Sequence, residues 1–207
     1  MRILRGFLMF MGALAVLAII ALVLGYVLAL LTPDVRNNIR PVVLSSESVD
    51  NYNKKMADMR SQTRGQGTAE ITLTMTEEEV NSIIVMAMAE GHIPAKEILV
   101  NFNDGYLVLY SAWNFPWFPV KTGIIGSFDV VEKKPEFIVQ NFFLGKLPLP
   151  SGINNNVQEI VNIMIRTNPM VYNSRYNYKE ITISEGKIKL SGSVERFNGG
   201  PGASASE

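Results

Sequence analysis

The 207-residue chain contains no cysteine and a single histidine, His92. The missing cysteines exclude disulfides, thiolate nucleophiles, Cys-ligated metals and a lipid-modified mature N-terminus. One histidine cannot build a His-rich metal cluster. A Ser-His-Asp triad would have to use His92, which follows Gly91 and stands two residues before Pro94, so it reads as a loop residue. Neither a G-x-S-x-G elbow nor a glycine-rich phosphate loop occurs. Nineteen Lys and Arg balance nineteen Asp and Glu, and no basic stripe is present to neutralise nucleic-acid phosphates. Asp104 and Glu185 each stand directly before a glycine and are accounted for as turn residues. The expectation is a protein that is not an enzyme, uses no cofactor or metal and binds no nucleic acid.

Charge is also missing locally. Gly6 to Pro33 holds no Asp, Glu, Lys or Arg, and such an aliphatic run exceeds the roughly 20 residues needed to cross a hydrocarbon core of about 30 Å as a helix. A helix satisfies its own backbone in lipid. The competing reading is a cleaved signal peptide, with Val27 and Ala29 imitating a small-residue cleavage site. The length of the run favours an anchor. Arg2 and Arg5 precede it, while Arg36 and Arg40 follow. The short, doubly basic N-terminal flank favours a cytoplasmic N-terminus and an extracytoplasmic C-terminal domain at the cell membrane.

The chain divides into an anchor over 1–33, a juxtamembrane linker and helix over 34–67, a folded domain over 68–196 and a tail over 197–207. The tail, containing NGGPGASASE, has too little apolar surface to pack and is expected to be disordered. Between Ser46 and Gln62, Val49, Tyr52, Met56 and Met59 recur at helical steps, as in a spacer helix lying lightly on the domain. Ala69 to Met75 alternates as a half-buried strand. Thr76 and Glu79 then form a capping box for a helix ending at Gly91. The run Glu77-Glu78-Glu79 is explained by the dipole at that helix start. Val80, Ile83, Ile84, Ala87 and Met88 make one face of the helix, and Val85, Met86 and Ala89 widen it. So wide an apolar surface calls for a cover beyond the strands, either a ligand or a second helix.

A hairpin turning at Asp104-Gly105 follows. Its register opposes Phe102 with Leu107, Val100 with Leu109 and Ile98 with Ser111, and it leaves Tyr106, Val108 and Tyr110 as an apolar opposite face. Residues 121–131 and 136–144 form another strand pair. A second helix runs from about Ile153 to Thr167, with Val157, Ile160, Val161, Met164 and Ile165 spaced like the apolar face of the first. A hairpin at Glu185-Gly186 opposes Ile183 with Ile188 and Ile181 with Leu190. Helix followed by glycine-turn hairpin occurs twice, which suggests an internal duplication. The fold expected is α+β: a twisted, mostly antiparallel sheet wrapped around two amphipathic helices, after one N-terminal transmembrane helix.

The segments TMTEEEVNSIIVMAM, EILVNFNDGYLVLY and FFLGKLPLPSGINN resemble those of the YpmS-like family of membrane-anchored Gram-positive proteins. That family is similar to TULIP domains, whose curved sheet encloses a tubular lipid groove. The resemblance implies lipid handling and carries no catalytic residue. With ten pliable methionines available, the expected function is membrane-anchored, non-enzymatic lipid binding or transfer in the cell envelope. Ile83, Ile84, Ala87, Met88, Val100, Leu109, Ile160 and Met164 are the expected lining for an acyl chain. The rival reading is an adaptor that docks an envelope protein partner, an enzyme or transporter, through the Tyr106, Val108 and Tyr110 face. Trp113, Phe115, Trp117 and Phe118 crowd a segment broken by Pro116 and Pro119. They form either a lid on the core or a loop in contact with the membrane headgroups, where Lys121 could meet lipid phosphate.

Overall fold

The computed structural model describes the backbone of residues 2–62, 64–65, 67–114, 119–167, 171–172 and 175–196, with side chains from residue 16 onward. Helix α1 (Arg2–Leu30) has 29 residues, about 43 Å at 1.5 Å per residue. It is long and apolar enough for a membrane span or a signal sequence. Its described apolar side chains are turned outward, Leu22 being 73% exposed, which a soluble core helix would not tolerate.

After α1 come a short 3-10 helix (Asp34–Asn38), α2 (Ser46–Gln62), β1 (Thr68–Thr76) and α3 (Glu77–Ala89). Strands β2 (Glu97–Asn103), β3 (Tyr106–Asn114), β4 (Pro119–Val131), β5 (Lys134–Leu144) and the two-residue β6 (Leu147–Pro148) follow. Helix α4 (Ser151–Thr167) and strands β7 (Tyr176–Ser184) and β8 (Lys187–Glu195) complete the fold. It is α+β and antiparallel throughout, as the alternation and turn residues imply. The strands form two sheets rather than one: β2-β3-β4-β5-β6 and β1-β8-β7. The second hairpin does not extend the first sheet, because β8 takes β1 as its neighbour and the five-stranded sheet ends at β2.

Local expectations hold in detail. Thr76 and Glu79 make the reciprocal capping box of α3. The registers Phe102–Leu107, Val100–Leu109 and Ile98–Ser111 are as read, as are Ile183–Ile188 and Ile181–Leu190. The inner faces of both sheets enclose one core containing Val100, Phe102, Leu107, Ile124, Phe137, Val139, Ile183 and Ile188. Val80 and Ile84 of α3 and Val157, Val161 and Ile165 of α4 pack against it.

The sheets meet at their hairpin tips. Gly105 N–H donates to Ile183 O (3.0 Å), and Gly186 N–H donates to Phe102 O (3.1 Å). Glycine 105 stands to 186 as residue 102 stands to 183, and Asp104 to Glu185 has the same separation of 81 residues. Asn81 and Asn162 obey it too. Each is buried, and each clamps both main-chain groups of one residue in an edge strand. Asn81 bonds Val100 O (2.7 Å) and Val100 N (2.8 Å); Asn162 bonds Phe137 N (2.7 Å) and Phe137 O (3.0 Å). The apolar faces compared in the sequence are therefore one turn out of step with the structural correspondence, in which Val80 matches Val161 and Ile84 matches Ile165. The halves differ in one respect: α3 closes β2, which follows it, whereas α4 closes β5, which precedes it.

The chain between α1 and α2 is built into the fold. Val35 and Ile39 are buried against Val108, Tyr110 and Ala112 on the outer face of the five-stranded sheet. Gly123 leaves room for them, since a Cβ there would lie 2.4 Å from Val35 Cγ2. This corrects the expectation of an exposed apolar face in part: Tyr106 stays exposed at 37%, but Val108 is 6% and Tyr110 2% exposed, because the strap that follows α1 covers them. The strap ends at Arg40, which bonds Glu77 (2.9 Å), Phe102 O (2.6 Å) and Glu185. Glu77 Oε1 also accepts from Phe102 N (2.7 Å) and Asn101 Nδ2 (2.9 Å). Helix α2 then packs on α3 and β1, burying Met56, with Lys55 paired to Glu79 at 2.7 Å. The acidic run therefore does more than answer a helix dipole: Glu77 and Glu79 are buried anchors, and Glu78 is exposed.

A smaller cluster joins Ala69, Ile71, Tyr176, Tyr178 and Val194. Burial pushes the Tyr178 phenol up to about 12, with Tyr176 adding to the shift, and its hydroxyl donates to Val171 O at 2.9 Å.

Two measurements follow from this packing. Asn81→Ala strands two buried main-chain groups, each worth about 1–3 kcal/mol, so denaturant unfolding should show a loss of about 3 kcal/mol. Because Tyr178 is raised above its unfolded value of 10.0, the neutral phenol favours the fold. Its contribution is complete below pH 10 and is lost as pH rises through about 12. Alkaline unfolding of Tyr178→Phe should therefore show a shallower decline over that window than the wild type.

Candidate functional site

Helix α4 hangs from the edge of β5. Asn154, Gln158 and Asn162, one per turn, face that strand: Asn154 Nδ2 donates to Gln140 O (3.4 Å), Gln158 Oε1 accepts from Val139 N (3.0 Å), and Asn162 clamps Phe137. This polar line sets the rotation of the helix. Val157, Val161 and Ile165 turn toward the sheet, while Ile153, Ile160, Ile163 and Met164 turn outward, Met164 being 65% exposed.

Between α4 and the sheet lies a cleft of about 210 Å³, bounded by Leu107, Leu109, Ile124, Phe128, Phe137, Val161 and Ile165. Every lining residue is apolar. Phe128 and Phe137 meet edge to face at 5.2 Å, forming a rigid aromatic wall. With no donor, acceptor or charge in its lining, the cleft offers polar groups no partner.

Of the residues expected to line a groove, Leu109 borders this cleft. Val100 is buried in the core, and Ile84 packs against that core. Ile83, Ala87 and Met88 are half-buried on α3, and Ile160 and Met164 lie outside on α4. Six cleft residues are missing from that expectation. Leu107, Ile124, Phe128 and Phe137 come from the sheet, and Val161 and Ile165 belong to the same apolar stripe of α4, where the Asn-Gln-Asn line at steps of four is the signal that would have selected them. The broad apolar surface of α3 is met by a second helix. Helix α2 packs there, leaving a groove of about 400 Å³ beside Leu44, Val49, Val85, Met86 and Ala89.

The end of α1 is seated on the domain. Lys146 N–H donates to Leu28 O (2.9 Å), capping α1, and Gly145 N–H donates to Lys121 O (2.8 Å). Lys146 also pairs with Asp34 at 3.0 Å, and Lys121 Nζ donates to the Thr32 hydroxyl at 2.8 Å. Trp113 lies at this same end, half-buried, its indole donating to Ser111 Oγ (2.8 Å). Phe115, Trp117 and Phe118 fall outside the described residues. His92 sits on the surface beside Glu90 at 3.2 Å, and among the described residues no group of three or more His, Cys, Asp or Glu could hold a metal.

Gly145 has φ +57°, and a Cβ there would lie 2.3 Å from Leu28 O and 2.4 Å from Ala29 O. A left-handed alanine alone costs about 1–2 kcal/mol, and the collision must push α1 off its seat. Gly145→Ala should therefore speed hydrogen exchange at the Lys146 amide while leaving exchange in β7 and β8 unchanged. Comparison of the chain with protein-family models, curated proteins and solved structures finds no match.

Proposed function

We propose that this is a membrane-anchored, non-enzymatic lipid-binding module of the cell envelope that takes part of an acyl chain between α4 and the five-stranded sheet. The observation carrying the reading is the wholly apolar cleft beside α4. At about 210 Å³ it is smaller than the roughly 300–1,000 Å³ of drug-sized ligand sites. It therefore takes a segment of chain, with the exposed Ile160 and Met164 on the adjoining face of α4 receiving the remainder. Eight buried methylenes would contribute about 6 kcal/mol gross, before association costs.

The seat for α1 supports retention of the segment as an anchor. A main-chain bond to Leu28 O and a glycine fitted against Leu28 and Ala29 are features a discarded signal peptide would not need. The anchor holds the cleft close to its ligand, and the resemblance to YpmS-like and TULIP proteins implies the same activity. The adaptor reading moves from the β3 face, where the strap covers Val108 and Tyr110 and leaves Tyr106 exposed, to the groove between α2 and α3. A single protein crosslinked through position 86 in intact cells would favour it.

Lipid extraction and native mass spectrometry of the full chain test the proposal. The wild type should carry lipid in near-stoichiometric amount, and Leu109→Trp, which fills the cleft, should retain at most about a tenth as much while unfolding at a similar temperature. Lipid-free wild type, or equal retention by a folded Leu109→Trp, would overturn it.

A further inference from the structure

A second cavity, about 410 Å³, lies on the outer face of the five-stranded sheet where α1 ends. Its floor follows from strand register. Glu97 opposes Ala112, and Ala112 opposes Lys121, so the three point to one side of the sheet. Ala112 contributes only a methyl group and leaves a hollow between charged neighbours. Lys96 begins at the same level, its amide bonded to Ala112 O at 2.8 Å. Arg36 reaches over from the strap.

The charges around this hollow do not balance. Glu97 is committed to Arg36 at 3.0 Å, and that guanidinium also lies 5.6 Å from the centre of the Tyr110 ring. Burial, followed by Glu97, pushes the Tyr110 phenol up, and Arg36 opposes the shift. Lys121 reaches only a neutral hydroxyl, that of Thr32. Among the described residues neither Lys96 nor Lys121 has a carboxylate partner. Two uncompensated ammonium groups therefore border one cavity.

The depth of the cavity selects its ligand. Thr32 lies two residues past Leu30, the end of α1, and its bond to Lys121 sets that ammonium at the same level. A span ending there puts both groups among the lipid headgroups. We propose that this cavity binds the phosphate of an anionic membrane lipid, with Lys96 and Lys121 as its direct contacts and Arg36 as part of the wall. It lies across the sheet from the acyl-chain cleft and does not depend on the reading of that cleft.

The test uses the full chain in detergent, titrated with phosphatidylglycerol or phosphatidylcholine and read by native mass spectrometry. Wild type should prefer phosphatidylglycerol by roughly tenfold or more. Each lysine near an anionic surface is worth about fivefold, so Lys96→Gln should lose about fivefold and the double variant Lys96→Gln/Lys121→Gln nearly all the preference. Lys96→Arg should keep it. Lys187→Gln makes the same charge change at the β7–β8 hairpin tip, outside the cavity lining, and should keep it as well, as should Leu109→Trp. Equal binding of the two lipids, no change in Lys96→Gln, or an equal loss in Lys187→Gln would overturn the proposal. So would binding of soluble glycerol phosphate as tight as that of the lipid, which would make the ligand a free or polymer-borne phosphate.

Discussion

The five-stranded sheet leaves its core-facing hydrogen-bonding edges at β2 and β5 without a full partner strand, and the fold depends on how those edges are closed. An unpaired main-chain amide or carbonyl in a dry interior costs as much as a lost hydrogen bond. A helix cannot supply a strand, but a primary amide carries a donor and an acceptor on one carbon and can stand in for one residue of a neighbouring strand. Asn81 does this for Val100 and Asn162 for Phe137. Because each amide must reach a fixed peptide, each helix is held in both rotation and translation. The core, the cleft and the outward stripe of α4 all follow from that placement.

Around β2 the same device grows into a clasp. Glu77, one turn before Asn81, takes the next amide along the strand and adds Arg40, so one buried carboxylate ties α3, β2 and the strap together. The guanidinium extends the tie to the tip of the second hairpin through Glu185. Breaking a buried charge pair by removing one partner is costly because the other is left uncompensated. The strap is thus fastened at its far end by ionic bonds and along its length by Val35 and Ile39. At its near end α1 itself is capped by Lys146. The end of α1 is thus bonded directly to the five-stranded sheet, with the apolar cleft on its inner side and the cationic hollow on its outer.

The repeat across the chain explains why so few residues do so much. Positions separated by 81 residues perform matched tasks: Asn81 and Asn162 at the edges, Gly105 and Gly186 at the tips, Phe102 and Ile183 as reciprocal acceptors. Glu77 has its counterpart in Gln158, which bonds a strand amide without charge and so needs no arginine. That one exchange separates the half that fastens the strap from the half that borders the cleft.

Local structure was legible in the chain because its causes are local. The capping box, the Asp-Gly and Glu-Gly turns, the hairpin registers and the uncharged run each rest on residues a few positions apart. The period-two alternation correctly split the faces of β3, but it could not say that Val108 and Tyr110 would be covered, because their cover is a strap some 70 residues earlier. On α4 the apolar stripe was plain, yet Ile160 and Met164 face outward while Val161 and Ile165 face the cleft. An apolar stripe that wide fits several rotations equally well. Hydrogen bonds from Asn154, Gln158 and Asn162 to a strand already in place choose among them, and neither β5 nor its open edge can be located by periodicity. The cationic hollow exists only where three strands and the strap converge, since Lys96, Lys121 and Arg36 become neighbours through register and docking rather than through spacing.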